Sequence, residues 1–216
     1  MPGYPIELDL TGRMVVVVGL GVVGHRKAAG LLAAGARVVG VDPSPRDEPE
    51  GVSIRREPYR PEHLQGATLV FAAATAEVNR QVVTDARAAG IWVNSANDAN
   101  EGDFTIPAVW REGSVLLTVS TGGASPALAG ALRDRAAGVL GNAGGLATVL
   151  AELRPVVLAR VADPETRRRV LADWADPRWL ERFAVGGPEA IRAELSCRLE
   201  ALTHGLPPCE GKPHDP

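Results

Sequence analysis

The chain has 216 residues, room for one domain or two small ones. Charged residues make up 23% and hydrophobic ones 45%, which excludes wholesale disorder, and a net charge of −3 excludes a global basic field for nucleic acid. The longest apolar stretches, around residues 14–23 and 67–76, are too short to span a membrane. No secretory signal is visible, and Cys197 and Cys209 are too few for a disulfide scaffold, so a cytoplasmic α/β protein is expected.

Residues 13–18 form a valine-rich run without polar alternation, which predicts a strand buried on both faces. Gly19-Leu20-Gly21-Val22-Val23-Gly24 follows, then a helix over 25–34 stopped by Gly35, and a strand over 36–41 closed by Asp42-Pro43. That is a β-α-β unit. Residues 43–51 read as an exposed loop. A short strand over 53–56, a helical turn over 61–64, a buried strand over 68–73, a helix over 77–89 and a strand over 91–94 continue the alternation. The pattern implies α/β architecture with a doubly wound parallel sheet. After Asn94 it changes: extended runs over 104–110 and 114–120 flank Arg111-Glu112-Gly113 and predict a hairpin. A helix over 125–139 enters through Ser125-Pro126, and 146–161, 164–174 and 188–202 also read as helices. The tail, 205–216, contains four prolines and is expected to be disordered.

In the first turn, Gly19 permits a tight bend, Gly21 lets the backbone approach a pyrophosphate and Gly24 lets the helix pack close to the strand. The helix N-terminus offers N–H groups to phosphates. Asp42 stands where an acid hydrogen-bonds an adenosine ribose, favouring NAD over NADP, and it also suits an Asx turn before Pro43. The competing reading is a structural turn with no ligand. His25, Arg26 and Lys27 oppose the helix dipole, which a bound polyanion or plain solvation would offset. Residues 94–104 follow the fifth strand, in the crevice beyond the carboxyl ends of the strands where ligands bind, and either place a proton acceptor there or form a polar loop. A second Gly-rich turn, with Thr121, Gly122, Gly123 and Ser125, either holds carboxylates or simply ends the hairpin and caps a helix. His25, His63, His204 and His214 are scattered, so no metal site is expected.

Several motifs in order resemble one family. These are Tyr4-Pro5-Ile6-Glu7-Leu8-Asp9-Leu10, the G-x-G-x-V-x-x-R-K of 19–27, Ala73-Ala74-Thr75 with Asn79, and Val93-Asn94 with acids before Asp103-Phe104. The most specific is S-x-G-G-x-S-P-x-L-A-x-x-L-R over 120–133. The chain thus resembles the precorrin-2 dehydrogenase (sirohydrochlorin synthase) module, found alone or as the N-terminal part of siroheme synthases. With no methyltransferase domain after it, the stand-alone form is expected.

The resemblance implies NAD-dependent oxidation of precorrin-2 to sirohydrochlorin. Its fold would be a Rossmann-type domain (1–113), a central dimerisation region (114–145) and a helical C-terminal domain (146–204), assembled as an intertwined homodimer. NAD would contact Gly19, Gly21, Val22, Val23, Gly24, Asp42, Pro43, Ala73, Ala74 and Thr75. The polycarboxylate ring would meet Arg26, Lys27, Thr121, Gly122, Gly123 and Ser125, with Arg133 or the Arg167-Arg168-Arg169 run as further cations. The family has Ala or Gly at position 24, and the linker between Thr75 and Asn79 is two residues shorter here than usual. Asn97 falls where the family's proposed catalytic aspartate stands, so the adjacent Asp98 is expected to accept the proton while Asn97 orients the ring, with Asp103 a weaker candidate. Competing readings are a dehydrogenase that also inserts ferrous iron and a module that senses NAD(H) without chemistry.

Overall fold

The computed structural model describes residues 3–98 and 101–206, so most of the expected disordered tail lies outside the described residues. Contacts divide the chain into two compact units, Met1–Ile106 and Pro107–Pro216.

The first unit is built on five parallel strands: β1 (Met14–Val18), β2 (Arg37–Val41), β3 (Ser53–Arg55), β4 (Leu69–Ala72) and β5 (Trp92–Ser95). Their order in the sheet is β3-β2-β1-β4-β5. Because side chains alternate along a strand, the valines of β1 serve both faces. Val15 and Val17 pack with Leu20, Ala28, Leu31 and Phe71 under α1 (Val22–Ala33). Val16 and Val18 pack with Val82, Val83 and Ala86 of α2 (Ala76–Ala88). The chain runs outward from β1 through β2 to β3, then returns to β4 on the other side of β1 by way of a 3-10 turn, Pro61–Leu64. A topological switch point therefore lies between the carboxyl ends of β1 and β4, the position where doubly wound sheets bind ligands.

Helix α1 starts at Val22, three residues before the position expected from the sequence, because Gly24 lies inside the first turn rather than ahead of it. Phe104 does not enter the hairpin either. Its ring stands edge-on to Phe71 with centroids 5.5 Å apart, so the hairpin begins later.

In the second unit, β6 (Ala108–Glu112) pairs antiparallel with β7 (Val115–Val119), and Glu112 opposite Val115 leaves Gly113-Ser114 as the turn. The positive φ of Gly113, +54°, suits that tight reversal. Helices α3 (Pro126–Val139), α4 (Ala143–Arg160), α5 (Pro164–Trp174) and α6 (Arg178–His204) follow. Glu112 links hairpin to helix: its carboxylate accepts from the N–H groups of Asn142 (3.2 Å) and Gly144 (2.9 Å) at the start of α4. Leu146, Val149, Leu153 and Val157 of α4 meet Trp174, Trp179, Phe183 and Leu195 in the unit's core. The first part of α6, residues 178–186, is a helix the sequence reading did not anticipate. Gly186-Gly187-Pro188 does mark a boundary, but between two helical pieces: Gly187 has φ +70° and ψ −177°. No single helix among the described residues is long and apolar enough to cross a membrane.

Candidate functional site

The Gly-rich turn leaves β1 at the switch point. Gly19 has φ +90°, and a Cβ there would lie 2.6 Å from the backbone of Ala73 and Ala74, so the turns after β1 and β4 touch. A Cβ on Gly24 would stand 1.8 Å from the Gly19 carbonyl oxygen, which packs the helix directly on the turn. The backbone at 24 thus accepts glycine alone, although the family pattern also admits alanine. Gly21 differs: a Cβ there would meet nothing within 4 Å. It opens onto space that a phosphate can occupy.

Helix α1 has Gly21 as its N-cap, with no capping side chain and no acid in the first turn. The N-cap side chain closes the helix start at Thr75 for α2, Ser125 for α3 and Asp163 for α5, whereas Asn142 of α4 and Pro177 of α6 make no such bond. The opening amides of α1 thus face outward with the positive end of the helix dipole behind them, and exposed Val22 stands beside them.

Asp42, at the end of β2, ties this turn down. Its Oδ2 accepts from Leu20 N–H at 2.7 Å and its Oδ1 from Ser44 N–H at 2.8 Å. The Asx turn before Pro43 is therefore present, and each carboxylate oxygen retains a lone pair for a ribose hydroxyl. Arg37 sits at the opposite end of β2 with its Nε donating to the Gly12 carbonyl, which removes it as a partner for a 2′-phosphate.

On the β4 side, Ala73, Ala74 and Thr75 form the turn into α2. Thr75 caps the helix, accepting from Val78 N–H, while fully buried Asn79 reaches back to both backbone groups of Ala74.

After β5 the chain passes through Asn97 and Asp98, both exposed, and doubles back. Ala96 N–H donates to the Ala72 carbonyl, which keeps the entry to this loop beside the β4 turn. Its return is pinned by Asp103, whose N–H donates to the Val93 carbonyl (2.7 Å) and whose Oδ2 accepts from Val93 N–H (3.1 Å). Arg87 completes the anchor, with Nε donating to Asp103 Oδ1 at 3.0 Å and Nη2 to the Glu101 carbonyl at 2.9 Å. Asp103 thus anchors the loop through both oxygens, and Asp98 is the other aspartate of this loop, exposed on its outward path.

Of the cations at the start of α1, Arg26 is exposed. Lys27 is half-buried with its ammonium 5.7 Å from the Phe71 ring centroid, and burial, assisted by the Arg26 charge, lowers its pKa. In the second unit, the turn at Thr121, Gly122, Gly123 and Ser125 is largely self-satisfied. Thr121 Oγ1 accepts from Ser125 N–H and donates to its carbonyl, Gly122 N–H donates to Ser120 Oγ, and Ser125 Oγ accepts from Leu128 N–H. Arg133 is paired with Asp134 and Arg167 with the Ala162 carbonyl.

Over 209 residues the chain is 35% identical to a siroheme synthase of Chromobacterium violaceum, covering 93% of this chain and 44% of that protein. It is 37% identical over 215 residues to a siroheme synthase of Nitrosomonas eutropha, covering 95% and 44%. The chain is a homologue of the siroheme synthases. This homologue spans a little under half the length of the curated relatives it matches. Its residues 6–108 match the family NAD_binding_7, described as "Putative NAD(P)-binding". A solved structure, "SirC, precorrin-2 dehydrogenase", shares the fold, with a TM-score of 0.72 over 90% of this chain and 99% of that one at 23% identity. The Gly-rich turn fits a dinucleotide on the structure's own terms: uncapped amides, open space at Gly21 and a carboxylate at the end of the adjacent strand.

Proposed function

We propose that this homologue oxidises precorrin-2 to sirohydrochlorin with NAD, as a cytoplasmic homodimer. The observation that carries the proposal is the open helix start at Gly21 beside Asp42, at the switch point of a sheet shared with a precorrin-2 dehydrogenase. The siroheme synthases among the relatives support the same tetrapyrrole chemistry.

When bound, NAD supplies the hydride acceptor. The chain's own residues do the rest. The amides of Gly21, Val22, Val23 and Gly24 hold the pyrophosphate. Asp42 and Pro43 receive the adenosine ribose and repel a 2′-phosphate, while Ala73, Ala74 and Thr75 wall the other side of the crevice. Asp98 accepts the proton lost from the ring, and Asn97, which as a neutral amide is a poor base, orients the ring by hydrogen bonding. Arg26 and Lys27 meet the ring's carboxylates.

The test is an anaerobic assay with precorrin-2, following NADH formation and the sirohydrochlorin spectrum, with NAD and NADP compared in the wild type and in Asp42→Ala. Turnover with NAD and weak use of NADP are expected. Dinucleotide binding without NADH formation would leave a sensing module, and equal use of NADP would sink the role of Asp42. Light scattering should show a dimer, and a monomer at micromolar concentration would contradict the assembly.

A further inference from the structure

We infer that Asn79 is a positioning residue of the dinucleotide site, holding the wall against which the Gly-rich turn closes. The inference rests on the dinucleotide-binding reading above and concerns a residue about one helical turn beyond Thr75, outside the set of expected ligand contacts. Asn79 is 0% exposed, on a helix whose other buried positions are Val82, Val83 and Ala86. An amide in such a place is costly unless its hydrogen bonds are made, and an aliphatic side chain would serve the core better. Helix capping does not require it, because Thr75 already caps α2.

The amide goes entirely to Ala74: Oδ1 accepts from its N–H at 2.8 Å and Nδ2 donates to its carbonyl at 3.3 Å. Both peptide planes flanking Ala74 are thereby fixed. The plane joining Ala73 to Ala74 is the one that approaches Gly19, where a Cβ would come within 2.6 Å of its carbon, oxygen and nitrogen. With Asp42 holding Leu20 from the β2 side, the turn that meets the pyrophosphate is braced on both flanks. Releasing Ala74 lets its peptide rotate and the β4-side brace go slack.

The experiment titrates NADH by its fluorescence into the wild type, Asn79→Ala, Asn79→Asp and Val83→Ala, and records a thermal unfolding curve for each. Asn79→Asp preserves shape and the acceptor but loses the donor, so it serves if the alanine variant fails to fold. Val83→Ala weakens the same helix without removing a hydrogen bond to Ala74. Both Asn79 variants should bind NADH at least about tenfold more weakly, the scale of one lost buried hydrogen bond, with kcat preserved at saturating NAD. Val83→Ala should lose thermal stability and keep NADH affinity within about twofold of the wild type. Asn79 variants that bind like the wild type overturn the inference, as does an equal loss of affinity in Val83→Ala. A wild type that binds NADH yet does not oxidise precorrin-2 refutes the proposed reaction alone, whereas one that binds no dinucleotide refutes both.

Discussion

Two glycines of the same turn share a predicted loss of affinity and differ in predicted stability. In Gly24→Ala the new Cβ would lie 1.8 Å from the Gly19 carbonyl oxygen. A carbon–oxygen contact needs about 3.3 Å, so helix and turn must separate by roughly 1.5 Å. Overpacking of that kind costs about 1–3 kcal/mol of stability. It also moves the α1 amides away from any phosphate they hold, and a misplacement near 1 Å lowers a site's effectiveness by about 10²-fold. Gly21→Ala adds its methyl group where nothing lies within 4 Å and where φ is −68°, ordinary for any residue. Its stability should fall by no more than about 1 kcal/mol, the penalty of an alanine N-cap, while the methyl group blocks the approach of the ligand. Urea unfolding and NADH titration should therefore separate the two, with Gly24→Ala losing stability and affinity and Gly21→Ala losing affinity with little change in stability. If Gly24→Ala unfolds with the wild-type midpoint and binds NADH normally, the close contact between turn and helix does not govern the site. If Gly21→Ala binds normally, the pyrophosphate does not approach there.

Other residues yield further expectations. Asp98→Ala should lower kcat by about 10²–10⁴-fold, the range for a lost general base, with NADH affinity unchanged, and Asn97→Asp should keep or raise turnover; near-full turnover in Asp98→Ala would place the proton acceptor elsewhere. Because burial lowers the pKa of Lys27, the folded state disfavours its charged form. Lys27→Met should therefore be more stable than the wild type near neutral pH, an advantage that shrinks as pH rises toward the ordinary lysine value; a variant less stable at neutral pH would show that the contact with Phe71 outweighs desolvation. Trp179, 0% exposed and donating from Nε1 to the Asp173 carbonyl, lies beneath the guanidinium groups of Arg178, Arg182 and Arg198. Trp179→Ala should cost about 3–5 kcal/mol in urea unfolding, and a loss below about 1 kcal/mol would refute its central place in the second unit's core.

What the sequence revealed was mostly local. The valine run, the turn of three glycines and Asp42 lie within one β-α-β unit, where spacing alone predicts strand, turn and helix. The same holds for Ser125 and the helix it caps. Contacts formed by chain return were hidden: the pairing of Arg87 with Asp103 joins the end of a helix to a loop, and nothing in either segment announces the other. Phe104 misled because its apolar neighbours resemble the start of a strand, yet its ring is captured by Phe71 across the fold. Asn79 was visible as a letter of a motif, but its function depends on the path of the turn five residues earlier. The helix over 178–186 was obscured by the Gly186-Gly187-Pro188 stop that follows it.

The valines of β1 have a further consequence for how the strand finds its alignment. Val15, Val16, Val17 and Val18 are chemically identical and almost wholly buried, so sliding the strand by one position replaces three of the four valines with another valine. In most strands such a slip turns apolar groups toward water and is rejected for that reason; along this run the penalty nearly vanishes. Alignment has to be indexed at the ends, by Arg37 N–H on the Arg13 carbonyl, Gly19 N–H on the Val41 carbonyl and Leu20 N–H on Asp42. Two of those three marks belong to the turn proposed to meet the dinucleotide. A molecule seated there would hold the sheet in frame, so the accuracy of folding and the occupancy of the crevice draw on the same few hydrogen bonds.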